Sequence, residues 1–499
     1  MKKIMIWVML VLAAPVFGQK NILNKTSVLF VGYDPAKALP EIKRMAPGMM
    51  SAKDFIAQYP SRMPAFKELL SRYFSTVKTI DCRDWKPEDS QGYDVTVFDF
   101  PTSILEPEKR EKLESGKIEN IPARYLPDNF DKPVIFIANT ADVMGRKIGL
   151  KLDWLCLCLD ADAHHVNANH AIFKGQLEKV NPTLEQKKTP EGIFHYSTGA
   201  NVPKEIPMWR VQKTSYSENK GARVGLVARG NRFAESPDTE TISSGVCLKD
   251  VGAVALGRHG NFFLWGFGAS PLDMTDEAKK VFVNAVAYMK QFDGKIPIAR
   301  KFNDRMATTD DVIEIIANAT KEKYNDYVKE IQSSNSNRAV RGKLIKDKKA
   351  AGQALTPEEE AIFPYIDRVQ EVDTYEQYLK KRMGNLSNKF GNDASAFRKY
   401  LTENLKYVYC NPAGSFEYSI DEDVKHVGIS NHDVKLLEKC VTMLAANDQP
   451  ELASRVLKRY TNENFISAND WRNWLSQNRS KLFFTETGGY KFMINTYSK

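Results

Sequence analysis

Lys132-Pro133-Val134-Ile135-Phe136-Ile137-Ala138-Asn139-Thr140-Ala141-Asp142 is the stretch on which the reading of this chain turns. Four consecutive apolar residues, Val134 to Ile137, are what a strand covered on both faces requires. The run breaks at Ala138-Asn139, and an amphipathic stretch over 142–152 reads as a helix. The segment is therefore a buried strand, a tight turn and a helix.

The same grammar extends to both sides. Residues 26–33 form an apolar strand ending at Gly32, and Asp34-Pro35 signals a loop. Residues 61–74 read as a helix with Pro64 in its first turn. Strands follow at 77–82 and 93–100. Strands alternating with helical spans predict a mainly parallel sheet with helices on both faces. Beyond the central segment, strands are expected at 155–159 and 221–228. A hairpin over 253–267 should turn at His259-Gly260-Asn261. A helix over 275–292 carries Val281, Phe282, Ala285, Val286 and Met289 at helical spacing, with Asp276 and Glu277 suited to its first turn.

After Gly294-Lys295-Ile296-Pro297 the character changes. Residues 308–331 read as helical, with Thr309 as cap. Residues 333–354 are polar, which suits a linker or an exposed helical excursion. Thr356-Pro357-Glu358-Glu359 is a capping box opening a helix to about Met383. Helices are expected at 393–409, 431–446, 450–460 and 468–481, then a short hairpin around Gly488-Gly489. Trp471 and Trp474, three apart, read as core anchors of the last helix.

Length and composition bound the function classes. The chain has 499 residues, enough for two or three domains. A hydrophobic content of 42% and a charged content of 27% are those of a globular protein. The net charge of +9 is spread along the chain and forms no basic stripe with interleaved aromatics, so no nucleic acid is expected as partner. Lys2 and Lys3 precede the apolar run 4–17. This reads as a secretory signal peptide over 1–18, cleaved near Gly18-Gln19, which lowers the charge to +7 and implies a periplasmic or secreted protein. No later run is long enough to span a membrane. Six cysteines, at 82, 156, 158, 247, 410 and 440, do not make a disulfide scaffold. Cys156 and Cys158 alternate on one strand and read as buried small hydrophobes. No CxxC pair occurs.

The 132–142 segment resembles the nucleophile elbow of class I glutamine amidotransferase-like domains, Gly-Ile-Cys-x-Gly-x-Gln. Ile137 falls on the isoleucine, Ala138 on the cysteine, Thr140 on the glycine and Asp142 on the glutamine. Within that superfamily the chain is similar to the trehalose-utilisation (ThuA-like) branch. Tyr93-Asp94-Val95 resembles its YDV strand, and 170–175 its HPIxxG segment with Ala171 replacing proline. The glycine-flanked strand through Phe267, followed by a last helix, is similar to its closing strand and helix. The resemblance covers about 26–292. It implies an α/β, flavodoxin-like three-layer sandwich with a mainly parallel sheet over 24–298. A mostly α-helical domain over 305–499 would follow. It implies degeneracy too. The closing strand of true amidotransferases delivers a His-Pro-Glu, whereas here it leads into 266–271, Gly-Phe-Gly-Ala-Ser-Pro. With Ala138, all three members of the Cys-His-Glu triad are missing, so glutaminase activity is not expected.

Other residues remain as candidates. Asp160, Asp162, His164 and His165 combine carboxylate and imidazole in a loop after a strand, a set able to hold a divalent metal. His170 completes a group of three of the seven histidines within seven positions. Arg229 and Asn231 follow the strand ending at Ala228, and Arg258 and His259 lie at the expected hairpin tip. These are ligand-binding candidates. Two functional expectations follow: a non-glutaminase ligand-binding protein of envelope sugar or glycan handling, or a metal-dependent hydrolase using 160–170. A third is a scaffold whose helical part docks a protein partner.

Overall fold

The structure, a computed structural model, describes residues 23–40, 52–112, 118–152, 154–190, 202–215, 223–247, 249–302, 306–411 and 417–497. The expected signal peptide, 1–18, lies outside the described residues.

The chain is an α/β protein built on a twelve-stranded mixed sheet. Its strands are β1 (Asn24–Gly32), β2 (Phe74–Asp81), β3 (Val95–Phe98), β6 (Val134–Ile137), β7 (Trp154–Leu159) and β8 (Asp162–His164), with β9 (Leu184–Lys188), β10 (Glu205–Arg210), β11 (Gly225–Ala228), β12 (Thr239–Gly245), β13 (Val254–His259) and β14 (Phe262–Trp265). A separate exposed hairpin, β4 (Lys109–Lys112) and β5 (Ile118–Ile121), leaves the sheet after β3. The strand order is β2-β1-β3-β6-β14-β13-β12-β8-β10-β9, with β11 joining β13 to β7. The first five strands are mutually parallel and the rest pair antiparallel.

Alternation along the parallel strands builds two cores. Val28, Phe30, Ile135, Ile137 and Trp265 face one, with Phe66 of α1 (Ala52–Ser71) and Val281, Phe282 and Val286 of α3 (Asp276–Met289). Leu29, Val31, Val134, Phe136 and Leu264 face the other, with Met144 of α2 (Thr140–Gly145). Cover on both faces is why these strands read as unbroken apolar runs.

The remaining elements surround a third core, drawn from Met306 to Phe492. Its main helices are α4 (Thr309–Asn318), α5 (Lys321–Ala350), α7 (Tyr375–Met383), α9 (Ala394–Asn404), α11 (Lys435–Ala445), α12 (Pro450–Tyr460) and α13 (Ala468–Asn478). Shorter turns α6 (Pro357–Ile362), α8 (Ser387–Phe390) and α10 (Glu422–Val427) join them. Two hairpins complete the region, β15 (Val408–Cys410) with β16 (Tyr418–Ile420) and β17 (Leu482–Thr485) with β18 (Lys491–Ile494). Trp471 is fully buried, as its spacing suggested. Among the described residues, no helix is long and apolar enough to cross a membrane.

Several local expectations are corrected. Helix α1 starts nine residues earlier than its proline suggested, so Pro60 and Pro64 both lie inside it. The stripe Phe55, Tyr59, Met63, Phe66 and Leu70 packs well enough to outweigh the missing N–H groups. Thr308, not Thr309, caps α4, because its hydroxyl accepts from Asp311 N–H while the Asp311 carboxylate accepts from Thr308 N–H. Residues 333–350 continue α5 as one 30-residue helix. Cys156 and Cys158 are joined by a disulfide instead of standing as free hydrophobes.

Candidate functional site

The carboxyl ends of β1, β3, β6 and β14 share one edge of the sheet. Chain order reverses direction between β1 and β3, because β2 lies on one side of β1 and every later parallel strand on the other. Open α/β sheets bind ligands in the crevice at such a switch point. Here that crevice holds a buried charged cluster.

Asp99 directly follows β3 and is 1% exposed. It accepts two hydrogen bonds from Arg62 of α1, both at 2.6 Å, in the planar fork that a guanidinium offers a carboxylate. Arg223, leading into β11, donates to the same carboxylate at 2.9 Å, to Asp99 O at 3.0 Å and to the Asn139 side-chain oxygen at 3.0 Å. Arg62 also reaches Gly268 O at 2.9 Å, and the Thr140 hydroxyl donates to Asp99 O at 3.0 Å. Gly268 is needed for this closeness: a Cβ there would lie 2.7 Å from Arg223 O.

Two guanidinium groups thus share one carboxylate, and both arginines are about 5% exposed or less. Arg62 Nη1 and Arg223 Nε have no hydrogen-bond partner. The Phe100 ring lies 5.7 Å from the first guanidinium carbon and 4.5 Å from the second, a cation–π arrangement. Burial, with the Arg62 charge beside it, pushes Arg223 down to about 10, so it stays cationic at neutral pH. A small cleft of about 10 Å³ opens on this cluster, lined by Tyr33, Phe55, Tyr59, Arg62, Asp99 and Phe100.

The turn behind the cluster is strained. Ala138 has φ +51°, a region that residues with a Cβ avoid by about 1–2 kcal/mol. It is fully buried, and its N–H donates to Trp265 O at 2.8 Å. A side chain at this corner cannot act as nucleophile when it is a methyl group. Cys82, just beyond β2, is not a substitute: burial and the Asp81 charge push its thiol up to about 12. The edge can hold an anion through positive charge, but it carries no activated nucleophile among these groups.

The candidates named from sequence are dispersed. His164 and His165 do meet, Nδ1 to Nδ1 at 2.6 Å. His164 is buried on β8, and burial with the neighbouring imidazole pushes it down to about 4. Asp162 does not join them, because Lys187 at 2.7 Å and Arg210 at 3.2 Å hold its carboxylate. Asp160 lies half-buried in the turn between β7 and β8. Among the described residues, the side chains whose ligating atoms converge enough for a metal are Cys156, Cys158 and Cys247, and the 160–165 set is not among them. Of the expected divalent-metal set Asp160, Asp162, His164 and His165, the structure thus brings the two imidazoles together, while cross-strand cations hold the Asp162 carboxylate.

His170 faces Glu240 at 3.5 Å, where Arg258 at 2.9 Å and the Tyr288 hydroxyl at 2.8 Å also converge. These contacts hold the Glu240 carboxyl down at about 2 against its burial. Arg258 is buried and caps Asp238 O and Gly260 O. His259 is fully buried on β13. Its Nδ1 accepts from Lys151 N–H at 3.0 Å and its Nε2 lies 3.4 Å from Asp238. Both are framework groups instead of a hairpin tip lining a cleft. Arg229 and Asn231 line a second, basic cleft with Lys151, Arg232, Lys301 and Thr487, where the sheet meets the C-terminal elements.

Sequence reading missed Arg62, Asp99 and Arg223. One signal was present: Asp99 interrupts an otherwise apolar strand segment ending in Phe100. Its partners lie 37 and 124 positions away, beyond any local pattern. No protein-family model, no curated protein and no solved structure matches this chain.

Proposed function

We propose that this protein is a non-glutaminase, ligand-binding member of the class I amidotransferase-like superfamily, exported and acting in envelope sugar or glycan handling. It would hold the anionic group of a small ligand at the carboxyl edge of the sheet. The observation that carries the reading is the buried Arg62–Asp99–Arg223 cluster, with more guanidinium than carboxylate, set against Ala138 in a strained elbow turn. The strand order β2-β1-β3-β6-β14 supports a flavodoxin-like core over 24–298, and the separate third core supports a mostly helical domain over 305–499. The Arg62 Nη1 left without a partner suits an anionic oxygen and aromatic walls suit a sugar ring, so an acidic sugar fits the chemistry of the cleft.

The test is calorimetric titration of the full chain with glucuronate and with glucose, beside an assay for glutamate released from glutamine. Saturable binding of glucuronate, weaker by about tenfold in Arg62→Lys and absent for glucose, is expected. Released glutamate, or no binding of either sugar, would overturn the proposal.

A further inference from the structure

Three cysteines converge where β7 meets the segment after β12. Cys156 and Cys158 lie on β7, two apart, so their side chains share a face. Cys247 follows β12. The sulfur atoms of all three lie within 4.8 Å of one another, and Cys158 Sγ is 3.6 Å from Cys247 Sγ. Cys156 and Cys247 are buried, and Cys158 is half-buried and open to solvent. The Cys247 sulfur accepts from Lys249 N–H at 3.4 Å, a contact that favours a thiolate.

We propose that the reduced protein holds one soft, thiophilic cation, Cu(I) or Zn(II), on the sulfurs of Cys156, Cys158 and Cys247. A metal at about 2.3 Å from each of three sulfurs needs sulfur–sulfur separations of about 4 Å. Cys158 and Cys247 already stand within a few tenths of that value. The third sulfur is placed on the same face by strand alternation and needs only to part from Cys158. Thiolates select such cations over magnesium or calcium.

The disulfide between Cys156 and Cys158 closes the site, and a dithiol opens it. Two electrons and two protons pass from the dithiol to the protein, the Cys156–Cys158 bond breaks into two thiols, and the dithiol becomes its own disulfide. Metal uptake then forms three metal–sulfur bonds and releases three protons to solvent. The site is thus available only when the disulfide is reduced.

The full chain would be reduced with a phosphine under argon, freed of reductant and titrated with Zn(II) and, separately, with Cu(I). Metal retained after gel filtration would be counted against an oxidised sample. About one ion per reduced chain is expected, with none on the oxidised chain. Cys247→Ser should weaken binding by about tenfold or more, while Cys82→Ser and Cys440→Ser leave it unchanged. Equal metal on oxidised and reduced protein, undiminished binding in Cys247→Ser, or no metal on reduced wild type would each overturn the proposal. Circular dichroism of Cys247→Ser would separate loss of the site from loss of the fold.

Discussion

At the scale of single residues, the decisive feature is charge placed where water does not reach. Asp99 balances two buried arginines, and its removal leaves both guanidinium groups buried without that carboxylate between them. Asp99→Ala should therefore destabilise the fold by about 3–5 kcal/mol, measured by urea unfolding. A loss below about 1 kcal/mol would mean that water already screens the cluster. His164 makes a second residue-scale prediction. The unfolded chain protonates this imidazole near pH 6.5, whereas burial holds the folded one down at about 4. Between those values the unfolded state takes up a proton that the folded state refuses, so stability falls as pH drops from about 6.5 to 4. The His164 share is at most roughly 3 kcal/mol. Below pH 4 the sign is set by carboxylates. Asp238 and Glu240, both held at about 2, stabilise the fold above their unfolded values and lose that contribution as pH falls from about 4 to 2. Thermal unfolding of wild type and His164→Gln across this range would separate the two phases. The upper phase should flatten in the variant and the lower one should persist.

At the scale of elements, capping and packing compete to set boundaries. Thr308 and Asp311 satisfy each other's backbone N–H groups at the start of α4, so Thr308→Ala should cost about 1 kcal/mol in equilibrium unfolding. No change would show that the α4 terminus is held by the Thr309–Glu486 contacts alone, where Glu486 accepts from Thr309 N–H at 2.7 Å and from its hydroxyl at 2.6 Å. Capping signals were legible in sequence to within one residue here and at Thr356, because a box is a local pattern. The start of α1 was not legible. Pro64 reads locally as a first-turn residue, and only the buried stripe beginning at Phe55 shows that the helix has already run three turns. The polar residues 333–350 offered linker or helix. The helix prevails in part because Ile331, Gly342 and Ile345 still bury one narrow line of contact.

At the scale of the molecule, Glu235 fastens the sheet to the C-terminal elements. Its carboxylate accepts from the Thr485 hydroxyl at 2.6 Å and from Glu486 N–H at 3.0 Å, and pairs with buried Lys151 at 2.9 Å. Glu235→Ala should leave Lys151 unpaired and loosen this seam. A loss of about 3–5 kcal/mol, with 482–494 exchanging amide hydrogens faster than the parallel strands, is expected. Uniform exchange across the chain would contradict that role. Arg232, which reaches Asp310 at 3.0 Å, ties the same seam from the basic cleft. The sequence by itself determined the strand–turn–helix alternation, the hairpin at Gly260, the last hairpin and the absence of a thiol at Ala138, because each is written in neighbouring residues. Only the tertiary structure decided which charges meet. Asp162 pairs with Lys187 and Arg210 across strands instead of joining His164 and His165, Asp99 gathers arginines from two distant segments, and Cys247 comes to rest beside Cys158. Coulomb attraction and desolvation act through space, and strand register, which depends on both faces of the whole sheet, sets those distances.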